Sequence, residues 1–191
     1  SIRDMTEASW TLVATMTRAR TSVGADGVAN STTRLTAGAV AATNIITQTL
    51  TAAASSRTYS CYIKRITGTG PVTLTQDNFV GGTDISGSLI ANEWVLVSFN
   101  ANILNAVYGI KVSTDTDAID VDFNQFEAGA VATSRILTAA GTRNADTPST
   151  PTGSWFNATE GTIVCECGAY TASTNSWIVW QFVDGTNNER T

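Results

Sequence analysis

The strongest constraint on this chain is a period of two. Residues 57–66 read RTYSCYIKRI, with Tyr59, Cys61 and Ile63 on one side of an extended backbone and Ser60, Tyr62 and Lys64 on the other. That alternation is the mark of a half-buried strand. Further strand-like runs occupy residues 10–17, 44–50, 72–74, 94–100, 107–113 and 118–126. Turn-forming stretches separate them, such as Thr67-Gly68-Thr69-Gly70-Pro71 and the Gly-rich residues 77–87. No segment carries a helical period of useful length, and the small apolar residues 37–42 read as a loop or an edge strand. About seven to nine strands with a turn every 8–14 residues predict an all-β sandwich. Composition agrees. Thr, β-branched and stiff, recurs throughout, and charged residues are only 14% of the chain, against about 25% in an average globular protein.

The same 191 residues exclude several chemistries. The chain has no histidine, so a Ser-His-Asp triad, a Cys-His pair and a His-ligated zinc are all impossible. Net charge is −5 with a pI near 4.6, which argues against an electrostatic nucleic-acid binder. No apolar run approaches the roughly 18–20 residues of a membrane span. Three cysteines are too few for a disulfide framework. Neither end reads as a signal peptide, and a start at Ser1 rather than Met is expected of a processed product or a piece of a longer chain.

Three segments are expected: a jelly-roll domain over 1–129, an extended linker over 130–152, and a partial β segment over 153–191. The linker is rich in Ala, Gly, Thr and Ser and carries Pro148 and Pro151. Two strand-like runs come after it, residues 161–168 (GTIVCECG) and 176–183 (SWIVWQFV). About forty residues are too few for an independent domain, so this segment is expected to be completed by another chain or by further residues. Trp177 and Trp180 in particular call for cover on both faces. Cys165 and Cys167 share a strand face and read as reduced, core-facing thiols; Cys61 reads as a small buried residue.

The order of motifs resembles virion proteins of tailed bacteriophages. Residues 121–134, VDFNQFEAGAVATS, resemble a Gln-x-Glu-x-Gly segment that closes a carbohydrate-binding-module-like jelly roll in those proteins. Upstream stand a Gly24-Ala25-Asp26-Gly27 turn, the strand Ser60-Cys61-Tyr62-Ile63-Lys64 and an Asn92-Glu93-Trp94 strand start. Downstream, Thr142-Arg143-Asn144-Ala145-Asp146 stands where such proteins carry an extended segment. Trp155 and Thr159-Glu160-Gly161-Thr162 match the opening of a lectin-like sandwich. The resemblance implies a tail-fibre, tail-associated or head-fibre protein in the virion. It also implies a homotrimer, with other virion proteins and a bacterial surface glycan as partners. A carbohydrate-binding module of a secreted glycan-degrading enzyme, or a capsid decoration protein, would share the fold.

Two constellations carry candidate chemistry. Asp115, Asp117, Asp120 and Asp122 could supply oxygen ligands to calcium, although their spacing is not that of an EF-hand; the plainer reading is a solvated strand face. If Ile119, Val121 and Phe123 face the core, Asp120 and Asp122 lie on the opposite face. For sugar stacking the candidates are Tyr62, Phe79 and Tyr108, while Trp10 and Trp94 read as core. Phe79 either docks on a neighbouring subunit or tucks under its own loop. Glu93, Glu127 and Asp122 are not fixed as the carboxylate pair of a glycosidase, so no enzyme is expected.

Overall fold

The computed structural model describes residues 3–135 apart from Ala14. The segment expected at 153–191, with Cys165 and Cys167, and the linker beyond residue 135 lie outside the described residues.

Among the described residues, ten strands form two antiparallel five-stranded sheets, the all-β sandwich that the period of two predicts. The first sheet comprises β1 (Thr11–Leu12), β4 (Ile45–Thr49), β6 (Val72–Thr75), β7 (Thr83–Asp84) and β9 (Val107–Val112), in the order β1-β4-β9-β6-β7. The second comprises β2 (Thr17–Ser22), β3 (Thr32–Thr36), β5 (Ser55–Thr67), β8 (Trp94–Ile103) and β10 (Ala118–Ala128), in the order β2-β3-β10-β5-β8. A short 3-10 turn, Ala41–Thr43, stands where a loop or edge strand was expected. No helix among the described residues is long and apolar enough to cross a membrane.

The inward faces are set by alternation. Leu35 of β3, Tyr59, Cys61 and Ile63 of β5, and Ile119 and Val121 of β10 meet Ile46 of β4, Val72 and Leu74 of β6, and Ile110 and Val112 of β9; all are fully buried. Each such side chain contributes roughly 1.5–3 kcal/mol on leaving water. At one end the buried Arg65 clamps the turn after β5. It donates to the carbonyls of Gly68 and Gly70 and faces Asp117 at 3.5 Å, while Asp117 accepts from the Gly70 N–H at 2.8 Å. Gly68, at φ +77°, has no room for a Cβ, which would fall 1.6 Å from Asp117 Oδ1.

Three features depart from expectation. Residues 10–17 are not one strand: β1 belongs to the first sheet and β2 to the second, so the chain changes sheet between them. Strands β2 (TRARTS) and β3 (TTRLT) escape a hydrophobic pattern because Leu35 is their only large apolar residue. Finally, Phe123 does not continue the core row of Ile119 and Val121. The β10–β5 register runs from Asp122 opposite Tyr62 to Gln125 opposite Ser60, leaving Phe123 and Asn124 as a bulge. Phe123 takes φ 49° and its ring goes to the outer face beside Tyr62, while Asn124 accepts a hydrogen bond from the inward Tyr59 hydroxyl at 2.8 Å. A bulge inserts one extra residue and so reverses the facing of the residues after it.

Candidate functional site

The outer face of the second sheet carries the polar chemistry of the domain. Pairing places Arg34, Asp120, Lys64 and Trp94 in one row across β3, β10, β5 and β8. Asp120 is fully buried. It accepts two hydrogen bonds from the Arg34 guanidinium, at 2.8 and 3.1 Å, and lies 3.6 Å from the Lys64 ammonium. The Arg34 pKa is raised, chiefly by that hydrogen bond. Lys64 in turn sits 4.8 Å over the Trp94 ring. Trp94 therefore lies half-buried on the outer face, not in the core as its apolar neighbours suggested.

The next row is built around Asp122, also fully buried. Arg3 grips it with two hydrogen bonds, at 2.8 and 3.0 Å, and reaches Asp26 with two more at 2.8 Å. Asp122 also accepts from the backbone N–H of Ala25 and of Phe123, both at 2.9 Å. The hydrogen bonds from Arg3 hold the Asp26 carboxyl below the usual carboxylate range. Gly24 makes this approach possible: a Cβ there would meet Arg3 Nη2, Ser31 Oγ and Asp122 Oδ2 at 2.2 to 2.6 Å. The Gly24-Ala25-Asp26-Gly27 turn thus serves the ion-pair network.

Beyond the bulge the face opens into a cleft of about 140 Å³. Its floor is Ser60 and Tyr62 of β5, Leu96 of β8 and Gln125 of β10, with Phe123 at the side. The chain leaving β10 turns back at Gly129 and supplies the far wall, residues 133–135. Glu127 staples that return. One carboxylate oxygen accepts from the Thr133 N–H and from Gln125 Nε2, both at 2.8 Å, and the other accepts from the Thr133 hydroxyl at 2.7 Å. The Gly129 carbonyl accepts from Thr58 at 2.8 Å and from Asn100 at 3.0 Å. The Gln-x-Glu-x-Gly pattern is thus a device for folding the exit strand over the sheet. Arg135 completes the wall, its Cζ 4.5 Å from the Phe123 centroid and 5.5 Å from that of Tyr62.

The candidates named from sequence fall in different places. Tyr62 lines the cleft. Tyr108 packs against the core: its ring stacks on Phe126 at 4.3 Å, meets the buried Trp10 edge-on, and its hydroxyl donates to Gln48. Phe79 tucks under its own loop, at φ 65°, with its N–H on Thr75 Oγ1 and its ring next to Gly82. Of the acidic run, Asp115 is exposed and Asp117, Asp120 and Asp122 are spent on Arg65, Arg34 with Lys64, and Arg3 respectively. Asp120 and Asp122 do not form a solvated face. Among the described residues no three His, Cys, Asp or Glu side chains are grouped so as to hold a metal ion. Phe123, Leu96, Gln125 and Arg135 escaped sequence reading. The bulge that turns the buried Phe123 ring to the outer face has no local signature, and Arg135 reaches the site only because the exit strand turns back.

No protein-family model and no curated protein sequence matches the chain. Among solved structures, a xylan-binding domain from Paenibacillus barcinonensis is 14% identical and superposes with a TM-score of 0.48, over 65% of this chain and 88% of that one. The C-terminal family 22 carbohydrate-binding module of a Clostridium thermocellum xylanase is 16% identical, with a TM-score of 0.49, over 66% and 89%. The enzymatically active domain of tailspike protein 4 from bacteriophage CBA120 is 13% identical, with a TM-score of 0.43, over 63% and 19%. All three are too distant to carry a function across.

Proposed function

We propose that this domain is a non-enzymatic glycan-binding module, acting as a structural and adhesive component of a bacteriophage virion such as a tail fibre or tail-associated protein. The observation that carries the binding half is the cleft: the aromatic rings of Tyr62 and Phe123 and the exposed Leu96 side chain stand beside Ser60, Gln125 and Ser134. Pyranose rings offer C–H faces to an aromatic ring and hydroxyls to polar side chains, and such mixed lining is what a small-ligand site needs. At about 140 Å³ the cleft is small beside the ~300–1,000 Å³ of drug-sized pockets. It suits one sugar unit of a longer chain, with the remainder lying along the open sheet. The virion half rests on the motif order from Gly24 to Thr162, and with it come a homotrimer and other virion proteins as partners.

A glycan array of bacterial surface polysaccharides, probed with the wild-type chain and with Tyr62→Ala, tests the binding half. The expected result is binding that weakens at least about tenfold in the variant. No binding by the wild type would remove the glycan role and leave a structural one. For the virion half, the intact particle should contain this chain, and the purified protein should sediment as a trimer. The same cleft would serve a carbohydrate-binding module of a secreted glycan-degrading enzyme, and a catalytic domain adjoining the chain would favour that reading. Labelling on the capsid in micrographs would favour a head fibre.

A further inference from the structure

Arg135 occupies an unbalanced electrical position. Two guanidinium groups approach the Phe123 ring, Arg3 at 4.3 Å and Arg135 at 4.5 Å. Arg3 is neutralised twice, by Asp26 and by Asp122. Arg135 is exposed and belongs to none of the ion pairs among the described residues. The acids around it are committed. Both oxygens of Glu127 are held by Thr133 and Gln125, Asp122 is held by Arg3 and two backbone N–H groups, and Asp120 by Arg34 and Lys64. Among the described residues, the cleft therefore presents a cation without a counter-charge, in a protein whose net charge is −5.

We propose that the cleft selects an acidic glycan, a pyranose bearing a carboxylate or a phosphate that the Arg135 guanidinium binds while the sugar ring lies against Tyr62. This rests on the glycan-binding reading above and adds the class of sugar. A guanidinium stacked on aromatic rings keeps its N–H donors in its own plane, pointing sideways, where they form a fork that matches carboxylate or phosphate oxygens. The Ser60 and Ser134 side chains border the same cleft and can meet sugar hydroxyls. An acidic protein repels anions at long range, so the selection is made at contact.

Titration calorimetry of the full chain compares three probes: hexagalacturonate, glucose 6-phosphate and the neutral cellohexaose. At least one acidic probe should bind about tenfold or more tightly than cellohexaose, in line with hydrogen bonds to a charged group. Whichever acidic probe prevails separates carboxylate from phosphate. Arg135→Gln should bring the acidic-to-neutral ratio close to one, and Arg135→Lys should keep part of it. Without any variant, added salt should weaken the acidic probe and leave cellohexaose unchanged. Equal affinity for neutral and acidic probes, or a ratio that survives Arg135→Gln, would overturn the charge assignment while leaving glycan binding in place. Failure of all three probes to bind at millimolar concentration would overturn both.

Discussion

The two halves of one sheet face differ in how their charges end. Around Asp120 and Asp122 each buried carboxylate is met by arginine or lysine. Past the bulge at Phe123 the face carries Tyr62, Leu96, serine hydroxyls and the Arg135 guanidinium around open space. The first half is closed and can only hold strands together. The second half holds the Arg135 guanidinium outside every ion pair among the described residues, and such a cation is what a ligand can use. Both halves draw on β5, β8 and β10, so the distinction is not one of fold but of which side chains have found partners.

The largest expected effect breaks the closed half. Asp122→Ala leaves the Arg3 guanidinium short of one partner and orphans the N–H groups of Ala25 and Phe123. Removing one member of a buried pair typically costs about 3–5 kcal/mol, so the urea midpoint should fall steeply. A loss under about 1 kcal/mol would mean that the network is decorative.

The inner face supplies a third environment, buried and without counter-charge. Burial pushes the Cys61 thiol up to about 12 and the Tyr59 hydroxyl well above its usual range. Both groups keep their protons in the folded state to higher pH than in the unfolded chain, where the thiol titrates near 9. The Cys61 contribution is therefore complete below about pH 9 and drains as pH rises toward 12, at about 1.4 kcal/mol per pH unit, while the Tyr59 contribution starts to drain only above the ordinary hydroxyl value of 10.0. Denaturation curves at pH 8, 9.5 and 11 should show this, and Cys61→Ala should flatten part of the alkaline slope. An unchanged slope would place the titration elsewhere.

Gly24→Ala sharpens the comparison by pushing on the closed half without removing a charge. Its Cβ would displace Arg3 or Asp122 side-chain atoms, for an expected loss of about 1–3 kcal/mol, read as a lowered Tm. The smallest effect belongs to the pair of Arg20 with Asp4 at 2.9 Å, where Arg20 is 43% exposed. Arg20→Ala should change stability by less than about 1 kcal/mol, and a larger loss in the melt would show that exposed pairs on this domain also carry the fold.

Strand content was legible in the sequence wherever one face is apolar and the other polar. Residues 57–66 and 107–113 announce β5 and β9 because Tyr59, Cys61, Ile63, Ile110 and Val112 recur at every second position. β2 and β3 were illegible, since Thr and Arg give an alternation no contrast. Of the aromatic candidates, Tyr62 was readable from its parity within β5, whereas Tyr108 has the parity of Ile110 and Val112 and goes inward with them. The acidic run was read as a set because its members are neighbours in sequence. Their partners are not: Arg34 lies 86 residues from Asp120 and Arg3 lies 119 from Asp122.

The period of two, the lack of any helical repeat and the absence of histidine settled from sequence that this domain is built of strands and performs no histidine chemistry. These are local or compositional properties and need no knowledge of neighbours. Which strands share a sheet, the bulge that turns Phe123 outward and the return that brings Arg135 over Tyr62 were decided only by the tertiary structure. The physical reason is that burial and charge pairing depend on distance in space, and a chain that crosses between two sheets joins residues that its sequence keeps far apart.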